Sequence, residues 1–299
     1  MAKDKKIKAV SFGEVLWDVF PTHKKIGGAP LNVALRMSSL GAEVTMVSSV
    51  GTDEDGDAIV SYAAENGVNT DFIQQSKGYK TGIVQVMINE KGNASYDILY
   101  PSAWDKIQVE EQLLKKISKA DVFVFGSLSA RGEDSRATLL HLLENTNTYK
   151  VFDVNLRAPY YTFDLLNELM QKADFIKLND EELLEISQKM NSPYHSFEQN
   201  IQFIAEQTKT KQICVTKGPF GAVLYHKEKF YYNSGYFIKV ADTVGAGDSF
   251  LASLLSKLLK GKSPQKALNF ACAVGALVAG SEGANPELTK EAIKKYMML

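Results

Sequence analysis

The sequence predicts an α/β fold: a three-layer α/β/α core around a mostly parallel sheet, carrying a small β-sheet as a lid. Three observations lead there. Short apolar runs rich in β-branched and aromatic residues alternate with stretches of helical period along most of the chain. Two separated segments break that alternation. The composition is that of an ordinary globule, with 299 residues, 45% hydrophobic and 23% charged, long enough for one large domain with an appendage.

The strand candidates are IKAVSFG, EVTMVSSVG, ADVFVFGS, YKVFDVN, ADFIKLN and KQICVTKG. Helical period falls between them, at 30–40, 54–66, 109–119, 136–144 and 180–190. Strands separated by helices read as a parallel sheet. Right-handed crossovers then place ligands beyond the C-terminal strand ends. The stretch TGIVQVMINEKGNASYDILY reads as a hairpin turning at 89–92, and residues 15–26 lack helical period. The expectation is a discontinuous lid, 15–26 and 79–104, on a core of 1–14, 27–78 and 105–299. An ordinary hairpin extension is the alternative. After Asp248, Leu251, Leu254, Leu255, Leu258 and Leu259 recur at helical spacing, with Gly261 as a stop. A last helix starts with Ser263 as N-cap and Pro264 in its first turn.

Charge excludes some classes of function. Lys plus Arg is 34, Asp plus Glu is 35, and the net charge is −1. That argues against nucleic acid or a membrane surface as a partner. No run approaches the ~18 apolar residues of a membrane span, and MAKDKKIKAVSFG lacks the apolar core of a signal peptide. Cys214 and Cys272 sit in apolar runs and are expected to be buried free thiols of a reducing compartment, the cytoplasm. His23, His141, His195 and His226 are scattered without metal-ligand spacing.

Familiar phosphate motifs are missing: the chain has no GxxxxGK[ST] and no GxGxxG after its first strand. It has instead ADTVGAGDSF, in which Gly245, Ala246 and Gly247 run into Asp248 at a helix start. Successive N–H groups there make an anion site. A carboxylate inside an anion site is contradictory unless it works as a base. A phosphoryl group in flight spreads negative charge that such amides stabilise, while Asp248 accepts the proton of an attacking hydroxyl. Simple helix capping is the competing account of the same four residues.

DTVGAGDSF resembles the C-terminal signature of the ribokinase-like carbohydrate kinases, and GGAPLNVALRMSSLGAEVTMVSSVGTDEDG resembles their N-terminal signature. The resemblance spans essentially the whole chain and implies a ribokinase-like core with a β-lid. It implies Asp248 as catalytic base and Gly245, Ala246 and Gly247 as anion hole. Asp18, Gly27, Gly28 and Asn32 match sugar-contacting positions. The NxxE pattern in KLNDEELLE gives Asn179 and Glu182, which in the family hold Mg2+ near the phosphates, largely through water. Asp180, Glu181 and Glu185 read as ordinary first-turn acids. VTKGPFGAVL places Thr216, Lys217, Gly218 and Gly221 around the nucleotide, with a plain surface role the alternative for Lys217. In DVNLR, Asn155 and Arg157, less so Asp153, are expected near substrate, on one side if the strand runs through them. Asp242 matches an acid that in some relatives supports a monovalent-cation (K+) site. Cys272 replaces a common Asn, so the nucleotide preference for ATP comes from the family.

Ala29–Pro30 after the glycine pair, together with DVNLR, resembles the fructokinase branch. The expected function is therefore ATP-dependent phosphorylation of a sugar, fructose first, at its 6-hydroxyl. A 2-keto-3-deoxygluconate kinase is the nearest rival, disfavoured because Asp18 repels an acid sugar. A kinase of another sugar is a further one. A non-catalytic sugar-binding regulator and an NAD-linked oxidoreductase are the rivals from other classes. The partners expected are a small sugar, ATP and a second copy paired through the lid, hiding its strand edges.

Overall fold

The computed structural model describes residues 6–88 and 94–298. Thirteen strands occur among them: β1 Lys8–Phe12, β2 Leu16–Val19, β3 Lys24–Gly27, β4 Glu43–Gly51, β5 Val68–Ser76, β6 Gly82–Ile88, β7 Ala94–Ile98, β8 Val122–Gly126, β9 Lys150–Asp153, β10 Phe175–Asn179, β11 Gln212–Thr216, β12 Ala222–His226 and β13 Lys229–Asn233. The helices are α1 Ala29–Ser39, α2 Glu54–Glu65, α3 Glu111–Ser118, α4 Glu133–Glu144, α5 Phe163–Gln171, α6 Asp180–Lys189, α7 Phe197–Thr208, α8 Ala246–Leu258, α9 Pro264–Ala279 and α10 Lys290–Tyr296.

The main sheet has the order β13-β12-β11-β10-β9-β8-β1-β4-β5. Its strands are parallel from β11 to β5, as the alternating pattern predicts. Both faces are covered, so central strands such as VFVFG are buried throughout. One face packs on α1, α2, α8 and α9, through residues such as Leu31, Ile59, Leu254 and Leu268. The other packs on α3 to α7, through Leu113, Leu139, Leu166, Leu183 and Ile204. Cys214 and Cys272 are buried and unbridged, as expected.

A second sheet, β3-β2-β6-β7, is assembled from two separated stretches of chain. β2 pairs with β6 in parallel, and β3 and β7 flank them antiparallel. Its inner face places Leu16, Val84 and Ile98 against Trp104 and Leu128. The turn expected at 89–92 lies outside the described residues.

Three expectations need correction. The strand through DVN stops at Asp153, and Asn155 has φ 40, so the alternation that would align Asp153, Asn155 and Arg157 does not apply. The helix expected at 136–144 begins at Glu133, because Gly132 at the N-cap leaves the acidic first turn helical. The chain also adds elements not among the strand candidates: β5, and the antiparallel pair β12–β13 at the opposite edge.

Candidate active site

The C-terminal ends of β1, β8, β9, β10 and β11 form one rim. Across them Phe12 stands beside Phe125, Gly126 beside Asp153, Asp153 beside Lys177, and Asn179 beside Thr216. Over this rim stands the first turn of α8. Gly245 is its N-cap, in the left-handed region at φ 75. A Cβ there would stand 2.5 Å from the Ala284 Cβ, so both conformation and space call for glycine. Ala246, Gly247 and Asp248 follow in the first helical turn, whose N–H groups have no intrahelical acceptor.

Helix α1 packs along α8 and fixes that turn. Asn32 and Arg36, one turn apart, share a face. Asn32 Nδ2 donates to Asp248 Oδ2 at 2.9 Å, and Asn32 Oδ1 accepts from Asn285 Nδ2 at 2.7 Å. Arg36 Nε donates to Ser249 Oγ at 3.1 Å and its Nη2 to the Pro286 carbonyl at 2.9 Å. Two side chains of α1 thus tie the turn to the 285–286 loop.

The charges around Asp248 are mixed. Burial, helped by Asp153, pushes its carboxyl up to about 6, against the Asn32 hydrogen bond, Lys177 and Arg157. Burial likewise raises Asp18 to about 6, with Arg157 opposing. Glu14 is raised further by burial, to about 7. Lys177 is buried and paired with Asp153 at 2.9 Å. Burial works against its ammonium, yet Asp153 and Glu182 hold the proton more tightly than usual.

On the lid side, Asp18 leans over Gly27, where a Cβ would collide with its Oδ2. Gly28, φ 111, lies against the Glu14 carbonyl. Lys25 of β3 reaches Asp242 at 3.7 Å. Asp242 also accepts from Val244 N at 3.0 Å and Gly283 N at 3.2 Å, joining the two loops beside the Gly245 turn. Arg157 is exposed; among hydrogen bonds it makes one to its neighbour's carbonyl, at 2.9 Å.

On the far side, Asn179 and Glu182 form a reciprocal capping box at the start of α6. Glu182 Oε2 accepts from Asn179 N and its Oε1 from Leu156 N, both at 2.8 Å. Asp180 and Glu181 lie in the first turn, but Glu185 stands further along and accepts from the Tyr161 hydroxyl at 2.8 Å. Thr216 ends β11, Lys217 caps the short turn Gly218–Phe220, and Gly218 and Gly221 take φ 52 and 79. A Cβ on Gly221 would collide with the backbone of Asn233.

Four residues of this constellation escape the sequence reading: Glu14, Arg36, Lys177 and Asn285. Two carry a visible signal, since a lysine inside the apolar run FIKLN and an arginine on the buried face of a helix are both costly without a purpose.

A model of the pfkB family of carbohydrate kinases matches residues 2–291. Probable fructokinase-6, chloroplastic, of Arabidopsis thaliana is 31% identical over 97% of this chain and 82% of its own length. Fructokinase-2 of Solanum habrochaites is 31% identical over 93% of this chain and 92% of its own. An uncharacterized sugar kinase from Pyrococcus horikoshii, solved in complex with ATP, superposes with a TM-score of 0.82 at 27% identity, covering 97% of both chains. Fructokinase from Xylella fastidiosa, solved with bound ATP, shares the fold with a TM-score of 0.87 at 23% identity, over 98% of this chain and 99% of that one. With the Gly245–Asp248 turn set over the rim of a ribokinase-like sheet, the chain belongs to the pfkB family of carbohydrate kinases.

Proposed function

We propose that the protein transfers the γ-phosphoryl group of ATP to the 6-hydroxyl of fructose, giving fructose 6-phosphate. The observation that carries this reading is the Gly245–Asp248 turn, with a carboxylate held by Asn32 beside helix N–H groups that have no intrahelical acceptor. The relatives named fructokinase supply the sugar.

The sugar lies between Asp18 and Asp248, with Gly27, Gly28 and Asn32 lining its path and Asn155 and Arg157 at its edge. Asp248 accepts the 6-hydroxyl proton as the O–P bond forms. The amides of Gly245, Ala246 and Gly247 meet the charge of the transferring group without reorganising. ATP lies along Asn179, Thr216, Lys217, Gly218 and Gly221. Closure of the four-stranded lid keeps water from accepting the phosphoryl group.

Magnesium completes the reading. Both Glu182 oxygens already accept a backbone N–H, which leaves each a lone pair for a magnesium-bound water, and Asn179 stands beside it. No cluster of three or more His, Cys, Asp or Glu suited to a metal occurs among the described residues. Both facts fit a hydrated Mg2+ better than a caged one. When bound, the ion neutralises phosphate charge. Asp242, with its oxygen donors between two loops, is the counterpart for a monovalent cation such as K+.

The reading extends to a homodimer through the lid, whose outer side exposes Leu99 and Met87, and to a cytoplasmic setting in which Cys214 and Cys272 stay reduced. No described helix is long and apolar enough to cross a membrane. The deciding experiment is incubation with ATP, Mg2+ and a panel of sugars, followed by identification of the product. Fructose 6-phosphate supports the reading. Turnover of 2-keto-3-deoxygluconate alone transfers the assignment to the acid-sugar kinase, and no turnover favours a sugar-binding regulator.

A further inference from the structure

Lys177 is in a place that folding alone does not favour. Its side chain is 8% exposed, and its Nζ lies against the first turn of α8, 3.4 Å from where a Gly247 Cβ would stand. A helix N-terminus already carries positive partial charge, so a cation beside it has the wrong sign for stability. Taking a charge out of water is a further cost. The same sign is right for a phosphate. A side chain at position 247 would set its Cβ in van der Waals contact with the ammonium.

Its counter-ion is Asp153, its neighbour on the adjacent strand. Asp153 gives Oδ1 to Lys177 at 2.9 Å. Asp153 Oδ2 is buried and accepts no hydrogen bond within the described residues, and the same is true of Glu14 Oε2. Both carboxyls line one small cavity, together with Pro30 and Val33 of α1. Charged or hydrogen-bonding groups bear on Asp248 from every neighbouring element: Glu14 after β1, Asp18 on β2, Asn32 on α1, Asp153 on β9, Arg157 beyond it and Lys177 on β10. Four of the groups gathered there, Asp248 included, are acids, and Lys177 is the buried cation among them.

We propose that Lys177, held by Asp153, is the positive charge behind the Gly245–Asp248 turn, a positioning residue that strengthens the turn's grip on a phosphoryl group in transit and steadies the Asp248 carboxylate. The role rests on the kinase reading above; the charge coupling to Asp248 does not. Lys177 touches neither sugar nor nucleotide in this account. It acts through the α8 turn.

The test compares Asp153→Asn with the double variant Asp153→Asn/Lys177→Met, so that the ammonium is removed while position 153 stays the same neutral amide. Asp248 is followed by 13C-carboxyl NMR titration of the unliganded protein, its signal assigned by loss in Asp248→Asn. Asp153→Asn removes the lysine's ion-pair partner and moves the Asp248 titration to lower pH. The double variant moves it back up by roughly one unit. Lys177→Arg, which keeps the charge, stays close to the parent. In turnover with fructose and ATP, Lys177 removal lowers kcat by on the order of tenfold and leaves KM for the sugar nearly unchanged. Coincident Asp248 titrations in the two variants overturn the proposal. An unchanged or raised titration in Asp153→Asn does so alone, should the double variant not fold. Absence of turnover in the parent protein counts against the fructokinase reading and leaves the NMR comparison to judge this one.

Discussion

The side-chain amide of Asn32 donates to Asp248 Oδ2 at 2.9 Å, joining two helices through residues that lie 216 positions apart in sequence. The bond stabilises the charged form of Asp248 and opposes the rise that burial imposes. Asn32→Ala removes the donor from a carboxylate that has few others. A hydrogen bond to a charged group contributes ~1.5–3 kcal/mol, so kcat/KM falls by roughly ten- to a hundredfold. Its acid limb also moves to higher pH, which loss of a sugar contact alone would not produce. Steady-state rates across pH check both.

The parent enzyme's pH profile follows from two carboxyls raised to about 6, Asp248 and Asp18. In the mechanism proposed above, Asp248 accepts a proton only when ionised, and Asp18 holds sugar hydroxyls best as an acceptor. Activity is therefore lost as pH falls through about 6, and kcat/KM is flat above it until other groups titrate. Two groups titrating together make the limb steeper than one proton allows. Asp248→Asn removes the base, lowers kcat by ~10²-fold or more, and leaves sugar binding intact by calorimetry.

Parts of this arrangement are legible in the sequence and parts are not, for physical reasons. The α8 turn is legible because Gly245 answers local demands of conformation and space that few other residues meet, and Gly247 completes a run of small residues into Asp248. The parallel core is legible because strands buried on both faces must be apolar runs. β5 is not, since VNTDFIQQS lies at a sheet edge and carries half-exposed polar residues. Asn285 cannot be found by pattern: it lies in an irregular loop, and its partner Asn32 is 253 residues away. The capping box of Asn179 and Glu182 is written in the NxxE spacing, so the same four residues that suggest a metal also start a helix, and sequence cannot weigh the two roles.

Gly245 and Gly247 separate by substitution. At Gly245, alanine meets φ 75 and the Ala284 Cβ at 2.5 Å. Left-handed backbone costs ~1–2 kcal/mol and overpacking ~1–3, so Gly245→Ala lowers unfolding free energy by roughly 2–5 kcal/mol. At Gly247 the new methyl meets the Lys177 ammonium at 3.4 Å and sits in a helix, where alanine is favoured by ~1 kcal/mol. Gly247→Ala therefore keeps stability within ~1 kcal/mol while lowering kcat, because it puts a methyl group against the ammonium. Urea melts and turnover, measured together, distinguish the two.

Glu14 links the site to pH-dependent stability. Its buried carboxyl is raised from 4.5 to about 7. The folded state then binds the proton more tightly than the unfolded one. The stabilisation is complete below about 4.5 and is lost as pH rises through about 7, a swing of roughly 3 kcal/mol. Glu14→Gln, which stays neutral, removes that loss. Between about pH 5 and pH 8 the parent's urea midpoint drops by more than that of the variant, and parallel midpoints would show Glu14 to titrate alike in both states.

Gly27 is the place to test the sugar side without touching the base. A Cβ there collides with the Asp18 carboxylate and otherwise comes closest to Leu16, so the side chain that must move is a short rotatable one. The backbone at Gly27 lies outside the positive-φ region, and alanine is tolerated by the fold. Displaced, Asp18 no longer aims at a sugar hydroxyl, and losing a charge-assisted hydrogen bond costs ~1.5–3 kcal/mol. Gly27→Ala is thus expected to raise KM for fructose by about tenfold or more, with Tm, KM for ATP and the position of the Asp248 titration all close to the parent. A KM for fructose that stays at the parent value would remove Asp18 from the sugar site, because the displaced carboxylate would then have had nothing to lose.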